Sequence, residues 1–249
     1  MSQRISVAEP REINLSLANK AKIFGRHNKL DQFRMTDVSL YSTTPNFQAE
    51  YIVQLLRDYY TLAEMKTKVI TDATACIGGN SYVFMKYFEH VNFVELFTLH
   101  ADIFQHNARI LGRNNYTINI INYLSICWRL NQDIIFLDPP WESVINDDDI
   151  SRDLYLQIDM NNVPISDLVY DLMLSAEMII LKVPKDYNDS LICGVRECWF
   201  HMETIMIQRT NGAPFYKIII LSREGPKYDK RRYKKMRPIG YKYMKWEYK

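Results

Sequence analysis

Cysteine pairs at metal-binding spacing are missing from this sequence. Its four cysteines, Cys76, Cys127, Cys193 and Cys198, are scattered, and none forms the CxxC or Cys/His spacing that closes around zinc. They read as reduced, mostly buried thiols. The five histidines, at 27, 90, 100, 106 and 201, are equally dispersed, without the helical i,i+4 pair that metalloproteases use, so no metal site is expected. No apolar run approaches the ~18–20 residues needed to cross a bilayer, and the opening "MSQRISVAEPRE" lacks the apolar stretch of a secretory leader. The expectation is an intracellular protein, nuclear or cytoplasmic, with the cytoplasm of a virus-infected host included, away from membranes and monomeric by default. Glycine is also sparse, with 8 in 249 residues. Neither the Gly-Lys-Ser/Thr of a P-loop nor a full GxGxxG dinucleotide turn is present.

What is present suits a globular fold. The chain is 47% hydrophobic and 24% charged, and its length fits one large domain or a domain with an extension, since domains commonly run ~100–200 residues. The net charge of +2 hides a basic end. Residues 223–249 hold eleven Lys/Arg against three Asp/Glu, interleaved with Tyr228, Tyr233, Tyr241, Tyr243, Trp246 and Tyr248. Basic groups meet phosphates and rings stack on bases, which makes this tail a candidate nucleic-acid arm. A solvated tail accounts for the charges equally well.

From about residue 47 to 222 helical and strand-like signals alternate, the pattern of helices packed on both faces of a mostly parallel, doubly wound sheet. "NFQAEYIVQLLRDYYTLAEM" (46–65) has helical apolar spacing behind the turn Thr43-Thr44-Pro45-Asn46. "KVITD" reads as a strand, "SYVFMKYFEHV" as a helix, "NFVELFTL" as a strand, and "HADIFQHNARILG" as a helix ended by Gly112. "YTINIINY" is a third strand and "DIIFLD" a fully apolar, buried one. "WESVINDDDISRD" reads as a loop, "SDLVYDLMLSAE" as a helix and "MIILKVP" as a strand. "CWFHMETIMIQR" and "FYKIIILSR" read as a terminal antiparallel pair.

Ligands of open α/β sheets bind beyond the carboxyl ends of the strands, and three loops there carry chemistry. In "DATACIGGN", Asp72 to Asn80, Gly78 and Gly79 let the backbone turn and approach a ligand, and Asp72 can accept from an amine or hydroxyl. Glu95 ends a strand about twenty residues later, where nucleotide-binding folds hold a ribose diol. On its own it is more readily a solvent-facing carboxylate, since exposed charges are the norm. In "DIIFLDPPWES", Pro139 and Pro140 stiffen the chain as it leaves a buried strand and hold Trp141 as a flat π-face for a base. Asp138 and the Pro139 carbonyl can then accept from an exocyclic amine.

Asp-Pro-Pro-Trp after an apolar strand resembles motif IV of S-adenosylmethionine-dependent amino-methyltransferases. With "LYSTTPNFQAEYI" upstream (Tyr41, Ser42, Thr44, Pro45), "DATACIGGN" next, and "LKVPKDYN" late, residues 20–222 resemble the RNA cap guanine-N2 methyltransferase, or trimethylguanosine synthase, family. The resemblance implies a Rossmann-like class I fold with S-adenosylmethionine as cofactor and capped RNA as partner. Residues 1–46 would be an extension contributing to the pocket, 47–222 the methyltransferase domain and 223–249 the tail. It further implies that Asp72, Thr74, Gly78, Gly79, Asn80, Glu95, Thr44 and Pro45 hold the cofactor, with Asn122 near adenine. Asp138, Pro139, Trp141 and Ser42 would serve the transfer, and Tyr41, Trp141, Lys182, Pro184 and Lys185 the cap base, its phosphates and the RNA. Three departures stand out. Cys76 replaces a usual glycine, Asn122 replaces an aspartate, and Glu142-Ser143 follows the platform where Gly-Gly is common. An adenine-N6 methyltransferase shares the DPPW form. A catalytically silent RNA-binding module with a degenerate cofactor pocket is the reading of another class.

Overall fold

A computed structural model describes residues 9–141, 153–158, 161–192, 201–209 and 211–228. Glu142-Ser143, Cys193, Cys198 and the tail beyond Tyr228 lie outside the described residues. The main sheet has seven strands: β3 (Val69–Asp72), β4 (His90–Glu95), β5 (Tyr116–Ile120), β6 (Ile134–Leu137), β9 (Met178–Pro184), β10 (His201–Gln208) and β11 (Pro214–Ser222). Their spatial order is β10-β11-β9-β6-β3-β4-β5. β3, β4, β5, β6 and β9 are parallel, and β11 runs antiparallel to both β9 and β10. The chain builds outward from β3 through β4 to β5, then returns to the other side with β6. The reversal of strand order therefore falls between β3 and β6, and Asp72 and Asp138 flank it.

Successive strand residues face opposite sides, and the central strands bury both. Ile70, Ile134, Phe136, Met178 and Ile180 enter one core cluster, while Ile135, Leu137, Ile179 and Leu181 enter the other. This is why "IIFL" and "MIIL" read as continuous apolar runs. By the same alternation Lys182 falls on the side of Met178 and Ile180. Over that side lie α3 (Asn46–Leu56), α5 (Gly79–Tyr87) and α6 (Thr98–Ile110), joined by Ile23 and Phe24 of α1 (Leu17–Phe24). The other side is covered by α7 (Tyr123–Ile126) and α8 (Ile165–Leu172) together with the hairpin β7 (Tyr155–Ile158) and β8 (Asn161–Pro164).

One local expectation is corrected, and two structured segments are added. The helix expected over 46–65 is broken: α3 stops at Leu56, Tyr59 and Tyr60 turn into the core, and Thr61 starts the short α4 (Leu62–Met65) with a reciprocal Thr61–Glu64 capping box. The capping box satisfies two backbone donors at the second start, which stabilises a fresh helix over a continued one. The β7–β8 hairpin carries no strong alternation and was not expected. The N-terminal residues also form structure of their own, with β1 (Glu12–Ile13) pairing β2 (Met35–Thr36) before α2 (Ser39–Ser42).

Candidate active site

β3 delivers Asp72 to the carboxyl end of the sheet, where it is fully buried. Ser81, on the first turn of α5, donates to its Oδ2 at 2.6 Å, and Oδ1 has no hydrogen-bond partner among the described residues. Burial pushes the Asp72 carboxyl up to about 7, with Ser81 opposing and the Asp138 and Glu95 charges adding to the rise. An unpaired buried oxygen of this kind is costly unless a cation or donor comes to it.

The loop after Asp72 is shaped by close packing. Cys76 takes a left-handed φ of 50° and Gly78 one of 92°; the thiol therefore occupies a backbone conformation that suits glycine. A Cβ on Gly78 would stand 2.3 Å from the Phe104 ring, and one on Gly79 would stand 2.5 Å from the Thr44 carbonyl oxygen. Both glycines are thus required by protein neighbours, with Gly79 the seat of the upstream Thr43-Thr44-Pro45 segment. Asn80 donates to Thr44 Oγ1 at 3.1 Å, while its own Oδ1 is buried without a partner among the described residues.

Glu95, at the end of β4, accepts from the backbone N–H of Cys76 at 2.8 Å and of Phe97 at 2.9 Å. It is partly buried and faces the loop, so the solvent-facing alternative does not describe it. His100 Nδ1 lies 3.4 Å from Glu95 Oε1, and its Nε2 is 3.2 Å from Thr36 Oγ1. Beside Glu95 a cleft of about 350 Å³ opens between Leu96, Asn122, Ser125, Gln157 and Ile158. Asn122 caps α7 by accepting from Leu124 N and donates to Gln157 O at 2.6 Å, which fixes its amide at the cleft wall.

Across the strand reversal, Asp138 is braced on two sides. Its backbone N–H donates to Thr74 Oγ1 and its carbonyl accepts from the same hydroxyl, both at 3.0 Å. Its carboxylate meets Lys182 Nζ at 2.5 Å, and that ammonium also donates to Thr44 Oγ1 at 3.0 Å. Burial raises the Asp138 carboxyl from its ordinary range, and Lys182 opposes the rise. Pro139 is buried and Pro140 exposed. Trp141 is half-buried: its ring centroid lies 6.2 Å from that of Tyr216, and its Nε1 donates to the Lys182 carbonyl at 3.4 Å.

These placements revise several expectations. Lys182, expected at cap phosphates, is buried and ion-paired with Asp138, so its charge is already engaged. Thr74, expected on the cofactor, spends its hydroxyl on the platform. Trp141 is backed by Tyr216 and lies against both core clusters instead of standing free. Tyr41 and Ser42 are exposed at the end of α2, while Thr44 is buried and Pro45 caps α3. Lys185 is exposed just beyond the half-buried Pro184. Ser81, His100, Gln157 and Tyr216 were not anticipated. Ser81 carried a signal in hindsight, since a hydroxyl in the first turn after Gly-Gly-Asn faces the strand end before it; the other three come from elements distant in sequence. The tail starts at the amino ends of the parallel strands, the end of the sheet away from Asp72 and Asp138, where Lys227 and Tyr228 donate to the Asp58 carbonyl and the Tyr228 hydroxyl donates to Glu64. Among the described residues, no three His, Cys, Asp or Glu side chains gather as metal ligands.

A sheet of this order, with carboxylates ending its first two parallel strands beside an open cleft, is the architecture of Rossmann-like methyltransferases, and this chain is one of that S-adenosylmethionine-dependent class. The orphaned oxygens of Asp72 and Asn80 fit a cationic amino-acid moiety, and Glu95 with the cleft fits a nucleoside, so the residues present suit that cofactor. Residues 67–220 match the family described as RNA cap guanine-N2 methyltransferase, more than half of the chain, and the chain belongs to that family. It is 32% identical over 129 residues to the uncharacterized protein L320 of Acanthamoeba polyphaga mimivirus, covering 50% of this chain and 49% of that one. The chain thus spans about half the length of that relative. Magnesium protoporphyrin IX methyltransferase from Synechocystis PCC 6803, solved with bound SAM, superposes with a TM-score of 0.50 at 14% identity, over 72% of this chain and 79% of the other. Trm5b from Pyrococcus abyssi gives 0.50 at 12%, over 79% and 54%. At such identities the two structures speak to the fold alone.

Proposed function

We propose that this protein transfers a methyl group from S-adenosylmethionine to the exocyclic 2-amino group of a 7-methylguanosine RNA cap. The observation that carries this reading is the rigid Asp138-Pro139-Pro140-Trp141 platform, locked by Thr74 and Lys182 across the strand reversal from Asp72. The bound cofactor supplies an electrophilic methyl group on a sulfonium. Asp72, Asn80 and Glu95 hold its amino-acid and ribose parts, and Asn122 borders its base.

On the acceptor side, the solvent-accessible part of the half-buried Trp141 ring stacks on the cap base. A 7-methylguanine is cationic, and a cation on an indole gains roughly 0.5–2 kcal/mol, which favours the methylated cap over unmethylated guanosine. Asp138 and the Pro139 carbonyl accept the amine hydrogens and stabilise positive charge growing on nitrogen. Alignment of amine and methyl is the main service, worth up to about 7–11 kcal/mol in favourable cases. No covalent nucleophile takes part. Lys185, exposed just past the end of β9, meets cap phosphates.

The test is incubation with S-adenosylmethionine of 7-methylguanosine-capped RNA, guanosine-capped RNA and an adenine-containing oligonucleotide, followed by mass analysis of digested nucleosides. A gain of one or two methyls on 7-methylguanosine alone is the expected product. Methyl groups on adenine only would replace this reading with an N6-methyltransferase, and no S-adenosylmethionine binding would leave a silent RNA-binding module.

A further inference from the structure

Neither cofactor holding nor base stacking calls for a lysine at position 182. A lysine inside the apolar strand "MIILKVP" is expensive, because removing an ammonium from water costs several kcal/mol unless a partner and further hydrogen bonds compensate. Here the compensation comes from an ion pair, a hydroxyl and two ring faces that converge on the candidate reaction centre. Lys182 Nζ reaches Asp138 Oδ2 at 2.5 Å and Thr44 Oγ1 at 3.0 Å, and lies 5.4 Å from the ring centroids of both Trp141 and Tyr216. A single buried cation thus touches the platform acid, the platform ring and the N-terminal segment seated on Gly79.

The chemistry of Asp138 explains the need. A carboxyl buried at this depth favours its neutral form, and a neutral carboxyl presents a hydroxyl donor where an amine needs an acceptor. It also brings no negative charge to a nitrogen becoming positive. A fixed ammonium at hydrogen-bond distance reverses both defects and holds the carboxylate in one orientation. The groups that act electrostatically on Asp138 are Lys182 from β9 and Asp72 from β3, with Thr44 and Trp141 as uncharged neighbours. Asp72 opposes ionisation of Asp138, which leaves Lys182 as the sole described cation supporting it.

We propose that Lys182 is a positioning residue of the transfer step, holding Asp138 as an oriented, ionised acceptor for the exocyclic amine and tying that acid to Thr44. The proposal rests on the reading that Asp138 receives the amine, and it applies to any exocyclic-amine acceptor.

The experiment is the pH dependence of single-turnover methyl transfer at saturating cofactor for wild type, Lys182→Met, Lys182→Gln and Lys182→Arg, with cofactor affinity measured by calorimetry. Capped RNA and an adenine oligonucleotide are run in parallel. For Lys182→Met the acid limb of the rate profile moves up by a unit or more, so at any pH below the wild-type limb the rate falls by at least about tenfold, and it is substantially recovered on the alkaline plateau. Lys182→Arg keeps the wild-type limb, and cofactor affinity stays within about threefold in all variants. Lys182→Gln, smaller in its effect on packing, gives the same shift if the methionine variant fails to fold. A loss equal at every pH, or a limb that does not move in either neutral variant, overturns the proposal. Wild-type transfer to adenine in place of the cap overturns the cap reading alone, since the limb is then read on that acceptor; wild-type transfer to neither overturns both.

Discussion

Replacing Asp72 with asparagine should make the cofactor-free protein more stable and cofactor binding weaker. Asp72 has an ordinary carboxyl value of 3.8 and a folded value of about 7, chiefly because it is buried with Oδ1 unpartnered. The folded state therefore binds this proton more tightly than the unfolded chain. Its contribution to stability is fully present below about pH 4 and is lost as the pH rises through 7. Roughly three pH units at about 1.4 kcal/mol each put the loss at about 4 kcal/mol by pH 8. An asparagine keeps the shape and the Ser81 contact but has no charge to bury. At pH 8 Asp72→Asn should gain at most that amount, and at 2–4 °C per kcal/mol for a chain of this size its Tm should rise by several degrees. Near pH 4 the difference between the two proteins should vanish. Thermal melts of both proteins from pH 4 to 9, without cofactor, measure this directly. Calorimetry on the same pair should show S-adenosylmethionine bound at least about tenfold more weakly by the asparagine, as expected when a charged partner is lost. For wild type, affinity should climb with pH up to about 7, because a cationic ligand must displace the proton. An Asp72→Asn protein that is no more stable at pH 8, or whose advantage is equal at pH 4 and 8, would refute the reasoning.

Trp141→Ala should abolish methylation of capped RNA while leaving cofactor affinity within about threefold, read by mass analysis and calorimetry, as the proposed stacking role requires; it should also cost about 2 kcal/mol of stability, roughly half the cost of removing a fully buried ring, through lost contacts with both core clusters. Gly79→Ala puts a methyl 2.5 Å from the Thr44 carbonyl oxygen. Although alanine is intrinsically better than glycine in a helix by about 1 kcal/mol, the net effect should be destabilising, with faster proteolysis of the segment around Thr44 as the local signature. Glu95→Gln removes the charge from two backbone-to-carboxylate hydrogen bonds at Cys76 and Phe97. It should weaken cofactor binding by roughly tenfold, at about 1.5 kcal/mol for one charge-assisted bond to the ligand, and lower the Tm through the two weakened loop bonds.

The fold was legible where the sequence is periodic or uniformly apolar. Runs such as "IIFL" and "MIIL" announce strands covered on both faces, and the order of strand and helix signals is enough to predict a doubly wound sheet. What was not legible is decided across the chain. The break after Leu56 depends on Tyr59 and Tyr60 finding room in the core and on Thr61 capping a second helix, so helical periodicity alone ran the two together. The β7–β8 hairpin pairs "YLQI" with "NNVP", whose shared apolar contact is the single cross-strand pair Leu156–Val163 against the core, too short an alternation to stand out in the sequence.

The same division runs through the site. Asp72, Glu95, Asp138 and Trp141 could be singled out because an acid or a Pro-Pro-Trp directly after an apolar strand has few structural reasons to be there. Lys182 stood in equally plain view within "MIILKVP", yet it was assigned to phosphate by its charge. Strand alternation, applied one residue further, would have placed it on the face of Met178 and Ile180, beneath the N-terminal segment and out of reach of RNA. An ion inside a strand points inward or outward by parity before its charge says anything about partners. Of the three acids Asp72, Glu95 and Asp138, Lys182 pairs with Asp138 alone, and the other two give the site a net negative character as the pH rises through 7. Such a site is unfavourable when empty and favourable to a cationic methyl donor, which makes the cost at Asp72 the counterpart of its affinity.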